Sequence, residues 1–233
     1  MAELFLTRAT LRPEAAADPR LWQRLADGYG LHQLIWQWFA AEPGSPREFL
    51  YRIDPGPATA GPIVYALSAR TPVDGAGSFD FHVKNYAPKL AAGDWLEFDV
   101  RASPTRVKAR APGGEKHGKR VDVVMDSKHA ESELPAAERT PEAVLVQAAG
   151  SAWLLAKQAA LGVTIEEKSL LVGGYRQHRL HHGAKSGAIQ FSTIDVSGRL
   201  QVMDPERFLG AIRAGLGPQK AFGCGLWLLR RAL

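Results

Sequence analysis

The stretch Gly215-Leu216-Gly217-Pro218-Gln219-Lys220-Ala221-Phe222-Gly223-Cys224-Gly225-Leu226 carries glycine at four spaced positions and runs into an apolar segment. Its pattern is G-h-G-x-x-x-x-x-G-h-G, where h is apolar. Glycine at such positions permits φ > 0 and lets backbone N–H groups turn outward and approach a phosphate closely. Lys220 adds a cation in mid-loop, so Gly217, Lys220 and Gly223 are candidate contacts to a phosphate backbone. The plainer alternative is a tight turn between a helix and a strand. No Gly-Lys-Ser/Thr follows at the spacing of a P-loop. The loop precedes a strand and not a helix, which argues against a dinucleotide fingerprint.

Outward from the loop, the C-terminal half reads as β-α-β-β-α-β. Val121 to Met125 is expected as a short strand and Pro141 to Leu161 as a helix. Ile165 to Tyr175 and Ala188 to Val202 read as strands. Asp204-Pro205 places a capping carboxylate before a proline at the first helical position, opening a helix to about Ala214. Leu226 to Arg230 is the last strand. The N-terminal half repeats this order more weakly. Glu3 to Leu11 is a strand, and Asp18-Pro19 starts a helix that Gly28-Tyr29-Gly30 interrupts. Asp27 then caps a second start. Leu31, Leu34, Ile35 and Trp38 follow at i, i+3, i+4 and i+7, one buried helical face. Arg47 to Asp54 and Ile63 to Ala69 are strands. Val73 to Pro88 is loop-like, with a short alternation at Phe79, Phe81 and Val83, and Trp95 to Ser103 closes the half as a strand. The expectation is an α+β fold of two tandem ferredoxin-like (βαββαβ) units, residues 1–110 and 111–233.

Composition sets the outer limits. The chain has 233 residues, 45% hydrophobic and 23% charged, with a formal net charge of +5. Those proportions suit a globular chain with a packed core. Cys224 is the only cysteine, so an intramolecular disulfide and a cysteine-rich metal site are both excluded. No apolar run approaches the ~20 residues of a bilayer span, and the N-terminus lacks a signal peptide's apolar core. A cytoplasmic protein without membrane, metal or cofactor is expected.

The placement of charge says more than its total. Arg101, Arg106, Lys108, Arg110, Lys116, Lys119, Arg120 and Lys128 face only Glu115, Asp122 and Asp126 across residues 101–128, a local net of +5. Pro104, Pro112, Gly113, Gly114 and Gly118 make much of this stretch a loop or linker. From Lys168 to Ile194 there is no acidic residue, while Arg176, Arg179, Lys185, His178, His181 and His182 all occur. Such segments suit a polyanion backbone. The histidines have no carboxylate or thiol nearby in sequence, so metal binding ranks below RNA contact or simple exposure.

With these elements in place, the chain resembles the CasE-type endoribonucleases of type I-E Cascade complexes, within the repeat-associated CRISPR proteins (RAMP superfamily). The glycine loop before the last strand is similar to theirs. Tyr29-Gly30-Leu31-His32 resembles their Tyr-x-x-His helix start. Arg101-Ala102-Ser103-Pro104 resembles their Arg-Ala-Asn-Pro segment, with Ser103 in place of Asn, and Lys185-Ser186-Gly187 resembles their Lys-Ser-Gly turn. Residues Pro13 to Asp27 form an insertion. The resemblance implies binding of a CRISPR repeat RNA hairpin and cleavage at its 3′ base. It also implies retention of the crRNA and assembly with Cascade backbone subunits. A non-catalytic RNA-binding RAMP scaffold subunit is the alternative.

Tyr29 and His32 lie three apart and share a helix face. His32 is one position off the apolar stripe, at the boundary of the core. RNA cleavage by the ribose 2′-OH needs a base, an acid and groups that stabilise phosphorane charge. An imidazole titrating near ~6.5 suits the proton transfers, and the spacing leaves open whether His32 is the base or the acid. Tyr29 is expected to donate a hydrogen bond or position the phosphate, with Lys185 and Ser186 stabilising it. Arg101, Arg106, Lys108, Arg110, Lys116, Lys119, Arg120, Arg176 and Arg179 are the expected RNA contacts.

Overall fold

A computed structural model describes residues 3–26, 28–39, 47–57, 61–108, 120–180 and 188–232. The chain divides into two compact units. The first comprises the described residues of Met1–Lys89, Arg179–Ile189 and Gln219–Leu226; the second those of Leu90–His178, Gln190–Pro218 and Trp227–Leu233.

The first unit is built from β1 (Phe5–Leu11), α1 (Pro19–Ala26), α2 (Gly28–Trp38), β2 (Phe49–Asp54), β3 (Ile63–Ser68) and β4 (Phe79–Asn85). Asp18 accepts the Arg20 N–H at 2.9 Å and opens α1, as the Asp-Pro pair leads one to expect. Leu31, Leu34, Ile35 and Trp38 are all buried, and they meet Ala9, Leu11, Val64, Ala66 and Phe79 of the sheet. Residues 79–85 are more than the loop the sequence suggests. They pair antiparallel with β1 along its whole length, from Leu11↔Phe79 to Phe5↔Asn85. Phe79 and Phe81 pack edge-on against Trp38 at 4.7 and 5.0 Å, which fixes this strand's inner face. The sheet order is β2-β3-β1-β4. That is the order of a ferredoxin-like sheet, with no helix between β3 and β4 among the described residues.

The second unit contains β5 (Trp95–Ala102), β6 (Thr105–Val107), β7 (Arg120–Asp122), α3 (Val123–Ala130), α4 (Glu142–Leu155) and α5 (Gln158–Leu161). These are followed by β8 (Val163–Ile165), β9 (Leu171–Leu180), β10 (Ile189–Val202), α6 (Pro205–Ala214) and β11 (Trp227–Arg231). Its sheet runs β11-β5-β10-β8, with β9 paired to β10 and β6 paired to β7 apart from it. This is again the ferredoxin-like order, with β5 as the first strand. Trp95–Ser103, read from the sequence as closing the first half, therefore opens the second sheet. Leu96, Phe98, Val100 and Ala102 alternate inward along β5, and both neighbours, β10 and β11, pair with it antiparallel. In α4, Gly150 lets the helix lie against β9: a Cβ there would sit 2.5 Å from Val172 Cγ1. The described fold is α+β with two ferredoxin-like sheets. Among the described residues no helix is long and apolar enough to cross a membrane.

Val121 to Met125 is a strand for only its first two residues. Asp122 then caps α3, its Oδ1 accepting from the N–H groups of Val124 at 2.7 Å and Met125 at 3.2 Å. This cap overrides the strand preference of two adjacent valines. Its second oxygen accepts from the Tyr175 hydroxyl at 3.0 Å and from the Ser192 hydroxyl. Buried beside this carboxylate, the Tyr175 phenol is pushed up to about 12. Asp122→Ala removes a cap and leaves two hydroxyls without their acceptor. It is expected to cost about 2–4 kcal/mol in a urea unfolding titration; a loss below about 0.5 kcal/mol would show that the network carries no stability.

Candidate active site

Within the first unit, α2 and the short 3-10 turn Lys220–Phe222 of the glycine loop come together. The His32 ring lies 6.2 Å from that of Tyr29, 5.8 Å from Trp36 and 5.6 Å from Phe222, centroid to centroid. Trp36 keeps 37% of its surface exposed and leans edge-on against Phe49 at 5.5 Å. The turn is held from below by the buried Tyr51, whose hydroxyl donates to the Ala221 carbonyl at 2.6 Å. Burial raises the Tyr51 phenol well above its ordinary value, so it remains a donor. The loop's four glycines all have positive φ, 72° at Gly215, 71° at Gly217, 80° at Gly223 and 92° at Gly225. Side chains other than glycine rarely adopt such values, which is why the pattern needs glycine there. Gly223 also leaves room for Tyr51, whose Cε2 would lie 3.4 Å from a Cβ at that position.

Burial is the largest influence on His32 and lowers its pKa below the usual histidine value. The Ala221 carbonyl opposes this and the charge of Arg47 adds to it. The imidazole is thus mainly neutral near pH 7, with Nδ1 enclosed and outside hydrogen-bonding geometry. Lys220 is likewise held below the ordinary lysine range, first by burial and then by Arg47. The arrangement joins a neutral proton acceptor, a phenol and two cations, a set suited to chemistry on a phosphate ester.

The basic candidates are distributed differently from what the sequence suggests. Arg106 and Lys108, on and just after β6, both ion-pair with Asp126 in the first turn of α3. Those pairs hold the partly covered Asp126 carboxyl below the usual carboxylate range, Lys108 contributing most. Arg101 grips Asp195 with two hydrogen bonds of 2.7 and 2.9 Å. Arg120, Arg176 and Arg179 are exposed. His178 stacks on Phe191 at 4.7 Å and places Nε2 2.9 Å from the Thr193 hydroxyl. Ser103 is buried. Lys185, Ser186, Arg110, Lys116 and Lys119 lie outside the described residues, as do Asp27, His181 and His182. Sequence reasoning missed Arg47 and Tyr51. Neither has a local motif: Tyr51 is one of a run of buried residues on β2, and Arg47 lies two residues before that strand.

A family model described as CRISPR associated protein matches residues 4–231. The chain is 30% identical over 230 residues to the CRISPR-associated endoribonuclease Cse3 of Thermus thermophilus, covering 96% of this chain and 98% of the relative. It is 27% identical over 207 residues to the CRISPR system Cascade subunit CasE of Escherichia coli K12, covering 89% and 92%. A solved structure of the CRISPR endoribonuclease Cse3 bound to 19 nt RNA superposes with a TM-score of 0.74 at 26% identity, covering 97% of this chain and 99% of that one. With a family model spanning nearly its whole length and the ferredoxin-like order in both sheets, this chain belongs to the CasE/Cse3 family of CRISPR-associated proteins.

Proposed function

We propose that the chain is a metal-independent endoribonuclease. It binds the CRISPR repeat stem-loop, cleaves pre-crRNA at the 3′ base of the stem, and keeps the crRNA within a cytoplasmic Cascade complex. The observation that carries this reading is the half-buried, neutral His32 beside Tyr29 on α2, packed against the glycine-loop turn that holds Lys220. The names of its relatives, an endoribonuclease and a Cascade subunit, support it.

The nucleophile is the ribose 2′-OH of the RNA itself. His32 takes its proton while the 2′-oxygen bonds to phosphorus. The bond to the 5′-oxygen breaks and that oxygen takes up a proton from water; the hydroxide left behind takes the proton from the His32 imidazolium, so the products are a 2′,3′-cyclic phosphate and a 5′-hydroxyl and the imidazole is neutral again. Tyr29 positions the phosphate through its phenol. In the RNA-binding role, the exposed Arg120, Arg176 and Arg179 meet stem phosphates, and Arg106 and Lys108 are further contacts. An A-form stem offers mainly phosphates and shape, so affinity should rest on charge.

The nucleophile comes from the substrate, so purified chain incubated with its repeat RNA in EDTA is expected to cut at the undiminished rate. Loss of cleavage in EDTA with recovery in Mg²⁺ would overturn the mechanism. Tight binding with no cleavage in either buffer would leave the RNA-binding scaffold as the function.

A further inference from the structure

Arg47 stands out among the arginines of the first unit. Arg52, on β2, is buried and bonded to Asp54 at 2.6 Å, and Arg12 and Arg70 pair with Asp80 and Glu48. Arg47 is half-buried, its Nε is enclosed without a hydrogen-bond partner, and no carboxylate among the described residues pairs with it. A guanidinium removed from water needs compensation. With no carboxylate among the described residues to neutralise it, this guanidinium is suited to take its counter-charge from an anionic ligand.

Its direction follows from the strand. The pairing of β2 with β3 continues back to Glu48, whose carbonyl accepts the Ala69 N–H at 3.2 Å. Phe49 and Tyr51 share a face of β2, while Glu48 turns away to Arg70; extending that alternation one residue back puts Arg47 on the side of Phe49 and Tyr51. Phe49 on that face packs on Trp36 of α2, and Tyr51 holds Ala221 of the glycine loop. Arg47 therefore faces the same helix and turn that carry His32 and Lys220. Its charge acts on both of them.

We propose that Arg47 is a catalytic residue that, with Lys220, binds the non-bridging oxygens of the phosphate cut beside His32. This rests on the endoribonuclease reading given above. As the 2′-oxygen bonds to phosphorus and its proton leaves, the non-bridging oxygens pass from one negative charge to two. They return to one when the 5′-oxygen departs. The guanidinium donates hydrogen bonds throughout and exchanges no atom or electron. Its planar fork can reach two oxygens at once, which an ammonium cannot.

The test is single-turnover cleavage of the repeat RNA by wild-type, Arg47→Ala and Arg47→Lys chains, each checked for fold by circular dichroism and for binding of uncut RNA. Arg47→Ala is expected to cut about 10²–10³-fold more slowly, and Arg47→Lys to recover part of that loss. Both should bind within a few-fold of wild type. A sulfur replacing a non-bridging oxygen should slow the wild type more than Arg47→Ala. Removing Arg47 should also move the pH limb governed by His32 upward, because its charge lowers that pKa. Wild-type rates in both variants, or equal sulfur effects with an unmoved limb, would overturn the assignment. So would loss of fold in both variants, which would make Arg47 a structural residue. Failure of the wild type itself to cut would count against the endoribonuclease reading instead.

Discussion

His32→Ala is expected to slow single-turnover cleavage by about 10²–10⁴-fold while leaving affinity for the uncut hairpin within a few-fold. The side chain is half-buried at the edge of α2, outside the apolar stripe, so truncation removes the proton acceptor without opening the core. The measurement uses excess protein, because a chain that retains its product would hide the chemical step in multiple turnover. The pH profile gives a second signature. The neutral imidazole is the active form, and burial and Arg47 lower its pKa. The wild-type rate should then hold through neutrality and fall only as pH drops through a value below the ordinary ~6.5. Wild-type speed in His32→Ala would remove it from the mechanism. Joint loss of fold and binding would make it structural.

Replacing Arg106, Lys108 and Arg120 together with alanine is expected to weaken hairpin binding and flatten its salt dependence. Each lost phosphate contact lowers the slope of log K against log salt by about 0.7–0.9, so three contacts lower it by about two to three. Arg106 and Lys108 are already tied to Asp126. Both cations are solvent-facing, so a run of phosphates can compete for them. Asp126→Asn should therefore tighten binding, most at low salt. Equal affinity and slope in the triple variant would show that this surface faces away from the RNA, whatever Asp126→Asn does.

Much of the fold was legible because it is local. The i, i+3, i+4, i+7 stripe of α2 and the Asp204-Pro205 start of α6 appear where spacing and capping put them; the Asp204 side chain accepts the Arg207 N–H at 3.0 Å. What failed was non-local. Nothing in Trp95–Ala102 says which sheet it joins, since that is decided by pairing with β10, nearly a hundred positions later. β4 was masked by its polar outer face: Asp80, His82 and Lys84 alternate with the apolar residues and leave only a brief signal. α3 was lost to its valines because the Asp122 cap was read as a strand residue.

The site divides in the same way. Tyr29 and His32 are candidates from three-residue spacing and a family resemblance, and the glycine loop follows from a backbone requirement written directly in the sequence. Arg47 sits at the head of a strand and looks like any surface cation until the strand's face is known. Arg101 shows the complementary limit: a basic run counted along the chain does not register its bond to Asp195, 94 positions away.

The most direct test replaces one atom of the RNA. The cut site is mapped on all-ribose repeat RNA, and a second RNA is made with a 2′-deoxy sugar on the nucleotide just 5′ of that phosphate. The account expects wild-type chain to bind both RNAs equally. It should leave the deoxy RNA whole and cut the other to a fragment ending in a 2′,3′-cyclic phosphate. Cleavage of the deoxy RNA at the same bond and a comparable rate would contradict it.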